Sequence, residues 1–377
     1  MRIKRILFHT ITTILAGWAL VMTTASAYAQ EENPAAEKKQ MFDFNASYIG
    51  DFAGTPLGGQ RTGFGYLGYG VLGVTFDTEA AGWWKGGQLV LSGATTHGAT
   101  PTESWMGDFQ VADNIEAGNH IFFNELYFQQ QLGPVTLTAG LQDFNSHYAN
   151  SDASSLFLNS SFGINSILSS SFSVPIFPIF SWGLNMNWGI TDWLSWQVGT
   201  FDSPFGFDEN PYNIHWRFNQ EKGAIFATEF AFHTNIRNNL EGTFEMGGAY
   251  QTALNNFELH LIAEQQFWKK DNRSMSAFLT AAYSPKTVRD NHFHASTGFH
   301  FVGVFSKKGN DQLGIAASTC ILNNDFKHET VLELTYQYAF GEHFYLQPDI
   351  QYILNPAGAE SKTNNTMFLA LRFGIDF

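Results

Sequence analysis

Hydrophobic and polar residues alternate strictly over the last eleven positions of the chain, Met367 to Phe377. Strand side chains point to opposite faces with period two, so Met367, Leu369, Leu371, Phe373, Ile375 and Phe377 share one face and Ala370, Arg372, Gly374 and Asp376 the other. One face suits lipid and the other suits water. The same alternation, punctuated by turn residues, recurs along the chain and predicts about sixteen strands. They fall near 42–50, 63–78, 86–96, 121–131, 134–143, 180–190, 193–202, 223–233, 240–250, 256–268, 274–284, 292–304, 312–321, 329–340, 343–353 and 366–377. Gly133-Pro134, Thr191-Asp192 and Gly341-Glu342 make tight turns, whereas 97–120, 144–179 and 203–222 are long. Short and long connections alternate, although 251–255 is short on the long side and 79–85 and 305–311 are longer turns on the short side. An even strand count returns both termini to that short-turn side.

Facing follows from the same period. In the fifteenth strand Leu346, Ile350 and Tyr352 point one way and Gln347, Asp349 and Gln351 the other. In the tenth, Phe257, Leu259, Leu261 and Ala263 oppose Glu258, His260 and Glu264. Pro348 cannot donate to a ladder, so a bulge or register irregularity is expected there. Trp83, Trp84, Trp193, Phe340, Phe344 and Phe377 gather at strand ends on the short-turn side, as in an aromatic girdle at a membrane interface.

The amino terminus predicts export. Arg2, Lys4 and Arg5 precede an apolar stretch from Ile6 to Thr24, and Ala27-Tyr28-Ala29 is a small-x-small cleavage site, so residues 1–29 read as a signal peptide. Residues 30–41 are then a periplasmic tail and 42–377 the barrel; an uncleaved anchor is the other reading of the leader. No later apolar run reaches the roughly eighteen residues of a helical span. A closed barrel is the other structure that pairs every backbone group in hydrocarbon. The fold class is therefore all-β, a transmembrane antiparallel barrel with short periplasmic turns and long external loops. Charged residues are only 14% of the chain, against roughly 25% in soluble domains. The formal charge is −14, and a leader carrying three cations and no acids leaves −17, which argues against nucleic acid as a partner. The single Cys320 makes no intramolecular disulfide and reads as a small wall residue.

Several segments resemble carbohydrate-selective porins of the OprB type. They are Gly82-Trp83-Trp84-Lys85-Gly86-Gly87-Gln88-Leu89, Asn124-Glu125-Leu126-Tyr127-Phe128-Gln129-Gln130, Gly140-Leu141-Gln142-Asp143-Phe144-Asn145 and Phe157-Leu158-Asn159-Ser160-Ser161-Phe162-Gly163. The tail adds Glu333-Leu334-Thr335-Tyr336, then Leu346 to Gly358, which is the most specific match, and Leu371-Arg372-Phe373. The terminal Phe377 also resembles the assembly signal of outer-membrane barrels. These blocks run from about residue 80 to the end, with Trp84-Lys85 in place of a simpler Trp-Pro step and a looser match over 234–291. The resemblance implies a sixteen-stranded channel, monomer or homotrimer, that admits sugars down their gradient. It implies a Gram-negative outer membrane with its lipid, lipopolysaccharide and assembly machinery as partners, and no cofactor.

The apolar segment 157–164 inside the long connection 144–179 predicts that this loop folds into the lumen; an external cap is the alternative. Sugars need hydrogen-bonding groups and aromatic faces. Inward or loop candidates for the first are Glu125, Asp143, Asn145, Arg217, Glu229, Gln347, Asp349, Gln351 and Arg372; for the second, Trp105, Trp182, Tyr212 and Trp216. Each has an ordinary reading as lumen solvation or loop packing. Arg217 and Arg372 carry more weight because cations are scarce. His292 and His294 share a strand face but lack the further ligands zinc takes. No local hydrolase motif occurs, though an outer-membrane hydrolase could assemble its residues across strands. An exported soluble lectin-like protein is the other alternative. A plugged transporter of about twenty-two strands does not fit this length.

Overall fold

Alternation sets the strands, and their closure sets the architecture. The computed structural model describes residues 40–215, 223–236, 240–286, 290–359 and 361–377, so the leader, Trp216 and Arg217 lie outside the described residues. The strands are β1 (Phe42–Gly59), β2 (Gly63–Asp77), β3 (Gly87–Gly98), β4 (His120–Leu132), β5 (Val135–Gln142), β6 (Ser181–Thr191), β7 (Leu194–Asp202), β8 (Ala224–Ile236), β9 (Leu240–Gln251), β10 (Asn256–Lys270), β11 (Arg273–Tyr283), β12 (Asn291–Val302), β13 (Asp311–Leu322), β14 (His328–Ala339), β15 (Phe344–Leu354) and β16 (Asn364–Asp376). Each pairs antiparallel with its neighbours, and β1 pairs with β16 to close the barrel. Closure abolishes the sheet edges.

The two faces separate as the pattern requires. Asp51 of β1 lies opposite Arg372 of β16 and both are buried inside, while the next pair, Phe52 and Leu371, is exposed on the outside. Along β10, Leu259 and Leu261 are exposed and Glu258 and His260 fully buried. Trp83, Trp84, Trp193, Phe340, Phe344 and Phe377 are all exposed at the short-turn end. They form the girdle expected there.

Two local expectations are corrected. β1 does not stop near residue 50 but continues to Gly59, with register shifts around Leu57 and positive φ at Gly58 and Gly59. Alternation does not reveal such a bulged extension, because the extra residues break the period. At Pro348 there is no bulge. The pairs flanking it on β14, Thr335–Asp349 and Tyr338–Leu346, keep one register, and only the pairs between them are missing. The ring costs the ladder its bonds without shifting it, since Pro lacks only the N–H.

One stretch of wall is completed by a loop. β4 runs 13 residues but β5 only 8, which leaves the outer end of β4 without a neighbour on that side. There the Phe123 N–H donates to the Tyr212 carbonyl at 3.0 Å.

Candidate functional site in the barrel lumen

Two connections, 99–119 and 143–180, turn inward and fill much of the outer half of the lumen. The first begins with a helical turn, Thr102–Met106, ended by Gly107 in the left-handed region at φ 68. The Trp105 carbonyl accepts the Gln60 and Arg61 N–H groups at 2.8 and 3.0 Å, and its indole covers Gly63 so closely that a Cβ there would come within 2.5 Å of the ring. Deeper in, the Phe109 and Gln110 N–H groups donate to the Glu329 carboxylate at 2.7 and 2.9 Å. Gln351 Nε2 donates to the Ala112 carbonyl at 2.8 Å. Arg372 clamps Asp51 through Nε and Nη2, and its Nη2 also reaches Asp113 at 3.2 Å and Asn114 Oδ1 at 2.8 Å. That guanidinium joins wall to loop.

The second connection is held in the same way. Ala149 N–H donates to Glu229 at 3.0 Å, and Ser151 Oγ and Ala153 N–H donate to Glu264 at 2.7 and 2.9 Å. The Leu158 and Asn159 N–H groups donate to the Glu333 carboxylate at 2.6 and 3.1 Å, and Asn159 Nδ2 donates to Gln351 at 3.2 Å. Asn165 Nδ2 donates to Glu258 at 3.0 Å. The two loops also bond each other: Asn114 N–H to the Leu158 carbonyl and Ser160 N–H to the Val111 carbonyl, both at 2.9 Å. Apolar contacts add to this, with Phe157 packing on Phe162 (centroids 4.8 Å), Phe278 (5.8 Å) and the bare backbone of Gly314. The segment 157–164 thus lies inside the barrel, where its apolar side chains escape water, and not as an outer cap.

A repeated device explains the hold. A wall carboxylate offers several acceptor sites, and a loop that leaves its strand brings backbone N–H groups with no ladder partner. Each such contact gives a buried loop N–H the acceptor it would otherwise lack. Within the loops, burial pushes the Asp143 carboxyl up to about 7, with the Asn145 N–H pulling it down and the charge of Glu125 pushing it further up. Burial likewise takes Glu116 to about 7, and takes Asp152 to about 6 with help from Glu264. Burial lowers the His147 imidazole to about 4, so it is neutral at physiological pH. His260, bonded by Glu229 at 2.8 Å and by Glu258 at 3.1 Å, bridges two anchoring carboxylates.

The residues singled out from sequence divide. Glu229, Gln347, Gln351 and Arg372 are buried and engaged with the loops; Gln347 Nε2 donates to the Leu156 carbonyl at 2.7 Å. Asp349 is buried beside Gln351, whose Nε2 donates to it at 3.1 Å. Asn145 spends its amide on the carbonyls of Tyr148, Ala149 and Gly163, bracing its own loop. Glu125 and Asp143 remain half-buried on the lumen side, Glu125 accepting from Ser92 at 3.4 Å and Asp143 from the Asn145 N–H at 2.9 Å. The aromatic candidates in the described residues lie apart from these. Trp105 is buried over Gly63, Trp182 lies on the outward register of β6 with Leu184 and Trp188, and Tyr212 is exposed at the outer rim beside Ile121. None of the three presents a ring to the lumen. Sequence reasoning missed Glu329, Asp51, Asp113 and the anchoring role of Glu333; the available signal was that Asp51, Glu329 and Glu333 each share the inward face of their strand, whereas Asp113 lies in a connection and carries no such signal.

A closed antiparallel barrel of this size, apolar outside and polar inside, with loops folded back to narrow it, defines a porin-type outer-membrane channel. The chain matches the model of the carbohydrate-selective porin, OprB family, over residues 61–257 and 255–377, and it belongs to that family. The protein is therefore an outer-membrane porin for sugars, in a family of channels and not of enzymes. Among solved structures it is similar in fold to Pseudomonas putida OprB in its high-pH structure (20% identity, TM-score 0.78, covering 89% of this chain and 94% of that one). It is also similar to the low-pH structure of the same protein (19% identity, TM-score 0.60, 89% and 92% covered) and to a loop-deletion mutant of Vibrio cholerae OmpT (8% identity, TM-score 0.54, 89% and 99% covered). No curated protein matches the sequence.

Proposed function

We propose that neutral sugars and other small hydrophilic solutes diffuse passively through the passage left beside the two inward loops, and that anions of similar size are disfavoured. The observation that carries this is the set of carboxylates, Glu229, Glu264, Glu329 and Glu333, that hold both loops against the wall. Arg372 is committed to Asp51 and Asp113, so it offers no free positive eyelet to an anion. In this reading Glu125 and Asp143 meet the solute, whereas Glu229, Gln347, Asp349, Gln351 and Arg372 fix the width of the passage. Selectivity then comes from that width and from the sign of charge along it.

The same proposal places cleavage after Ala29, supported by the basic, apolar and small-residue order of the leader, and assigns insertion to the outer-membrane assembly machinery, supported by the alternating terminal strand ending in Phe377. Lipid and lipopolysaccharide would contact the exposed outer face, and the barrel would work as a monomer or homotrimer. Liposome swelling across a size series of neutral sugars and matched sugar acids tests the transport reading. Faster neutral sugars support it; equal rates, or faster acids, overturn the acidic passage.

A further inference from the structure

Below the anchored loops, a row of side chains crosses four strands on the inner face. His300 Nε2 lies 2.7 Å from Gln312 Oε1, Gln312 Nε2 donates to Gln337 Oε1 at 3.1 Å, and Gln337 Nε2 donates to Gln347 Oε1 at 3.0 Å. Gln347 closes the row by donating to the Leu156 carbonyl of the inward loop and to Thr335 Oγ1 at 3.0 Å. All four face the lumen: Gln312 pairs with Gln337 in register, and Gly314, two residues on, carries the Phe157 ring of the loop.

The amides are not fully used. A glutamine has two N–H donors and two acceptor lone pairs. Gln347 spends both donors, but Gln312 and Gln337 each use one donor and one lone pair among the described residues, and both side chains are only half-buried. Each retains an N–H and a lone pair on a carboxamide whose orientation the row has fixed. That is the complement of two adjacent hydroxyls, one accepting and one donating. The wall does not need the row for closure where β12, β13 and β14 meet, because the backbone ladder there is continuous.

We propose that Gln312 and Gln337, oriented by His300 and Gln347, form a hydrogen-bonding track for neutral vicinal diols, the hydroxyl pairs of a sugar ring, on the periplasmic side of the loops. The proposal rests on the reading of the chain as a sugar channel and adds the residues that favour a sugar over another neutral solute of its size. Barrel strands tilt by about 35–45°, so a row across strands also runs obliquely along the pore. A sugar can exchange hydroxyls from one amide to the next.

The experiment compares liposome-swelling rates for D-glucose and for triethylene glycol, a neutral solute without vicinal hydroxyls, using the full-length protein and Gln312→Met. Salt conductance in planar bilayers is recorded alongside. The expected result is a fall in the glucose-to-glycol ratio of about three-fold or more, the scale of one neutral hydrogen bond, with conductance within about two-fold of wild type. An unchanged ratio overturns the track, and so does an equal fall for both solutes, which would make the row a brace of the wall. Should Gln312→Met fail to give heat-modifiable barrel, Gln337→Glu keeps the shape while removing the donors and is read by the same ratio. Wild-type liposomes closed to both solutes would overturn the channel reading, and the track with it.

Discussion

The outer and inner halves of the lumen wall are built from the same strands, yet their side chains do different work. β14 shows it in one line, because Glu329, Glu333 and Gln337 follow at four-residue spacing on its inner face. Glu329 takes the N–H groups of Phe109, Gln110 and Ala357; Glu333 takes those of Leu158 and Asn159; Gln337 bonds only other amides. Along β14 the outer part thus uses carboxylates to capture loop backbone, and the periplasmic part a neutral amide that keeps capacity for a solute. An acid in the lumen of this porin is therefore first a fastener.

The difference can be broken hardest at the fasteners. Glu333→Ala leaves two buried N–H groups without an acceptor, at roughly 1–3 kcal/mol each. The 143–180 loop should then detach, seen as rapid proteolytic cleavage within it while the barrel stays heat-modifiable. Second in size is a contrast between faces: Leu371→Arg puts a charge in lipid at about 2–4 kcal/mol and should sharply lower outer-membrane levels, although Arg372 beside it is accommodated inside. Gln351→Leu, which removes one bond to each loop, should loosen both by roughly 1 kcal/mol per bond and raise protease sensitivity moderately. The smallest effect is that of pH. Asp143 and Glu116 have carboxyls raised to about 7, so the folded state holds protons that the unfolded chain releases near pH 4. Their contribution is complete below about pH 4 and is lost as pH rises through about 7. Protection factors for hydrogen exchange in the 99–119 and 143–180 loops, with the intrinsic base-catalysed rate divided out, should accordingly be lower at pH 8 than at pH 5, and the reverse order would contradict the assignment.

Much of this fold is legible in the sequence because a period of two leaves one face for lipid. Sixteen strands, the girdle, and the inward set of β10 and β15 all follow from it. The extension of β1 past Gly50 does not show in the alternation, because its glycines carry no side chain and irregular register follows Gly54, and Pro348 keeps its register because its neighbours on both strands hold it. The site was less legible. That 157–164 goes inside follows from its phenylalanines, but the partners of Glu329 and Glu333 in the two inward loops lie 174 to 220 residues away in sequence, and no local pattern joins them. Trp105 and Trp182 take the packing reading that stood beside sugar stacking, since an aromatic near a loop serves either. Gln312 and Gln337 carry no sequence signal, since each is an ordinary inward polar residue apart from the row that the fold assembles.

Wall carboxylates hold two loops across an otherwise wider pore. Single-channel conductance of the Glu329→Ala, Glu333→Ala double variant tests it most directly, measured in planar bilayers beside wild type on heat-modifiable protein. Conductance should rise by severalfold as the loops leave the lumen, with anion exclusion weakened. Conductance equal to that of wild type, in a barrel that is demonstrably folded, would show that these carboxylates do not set the passage.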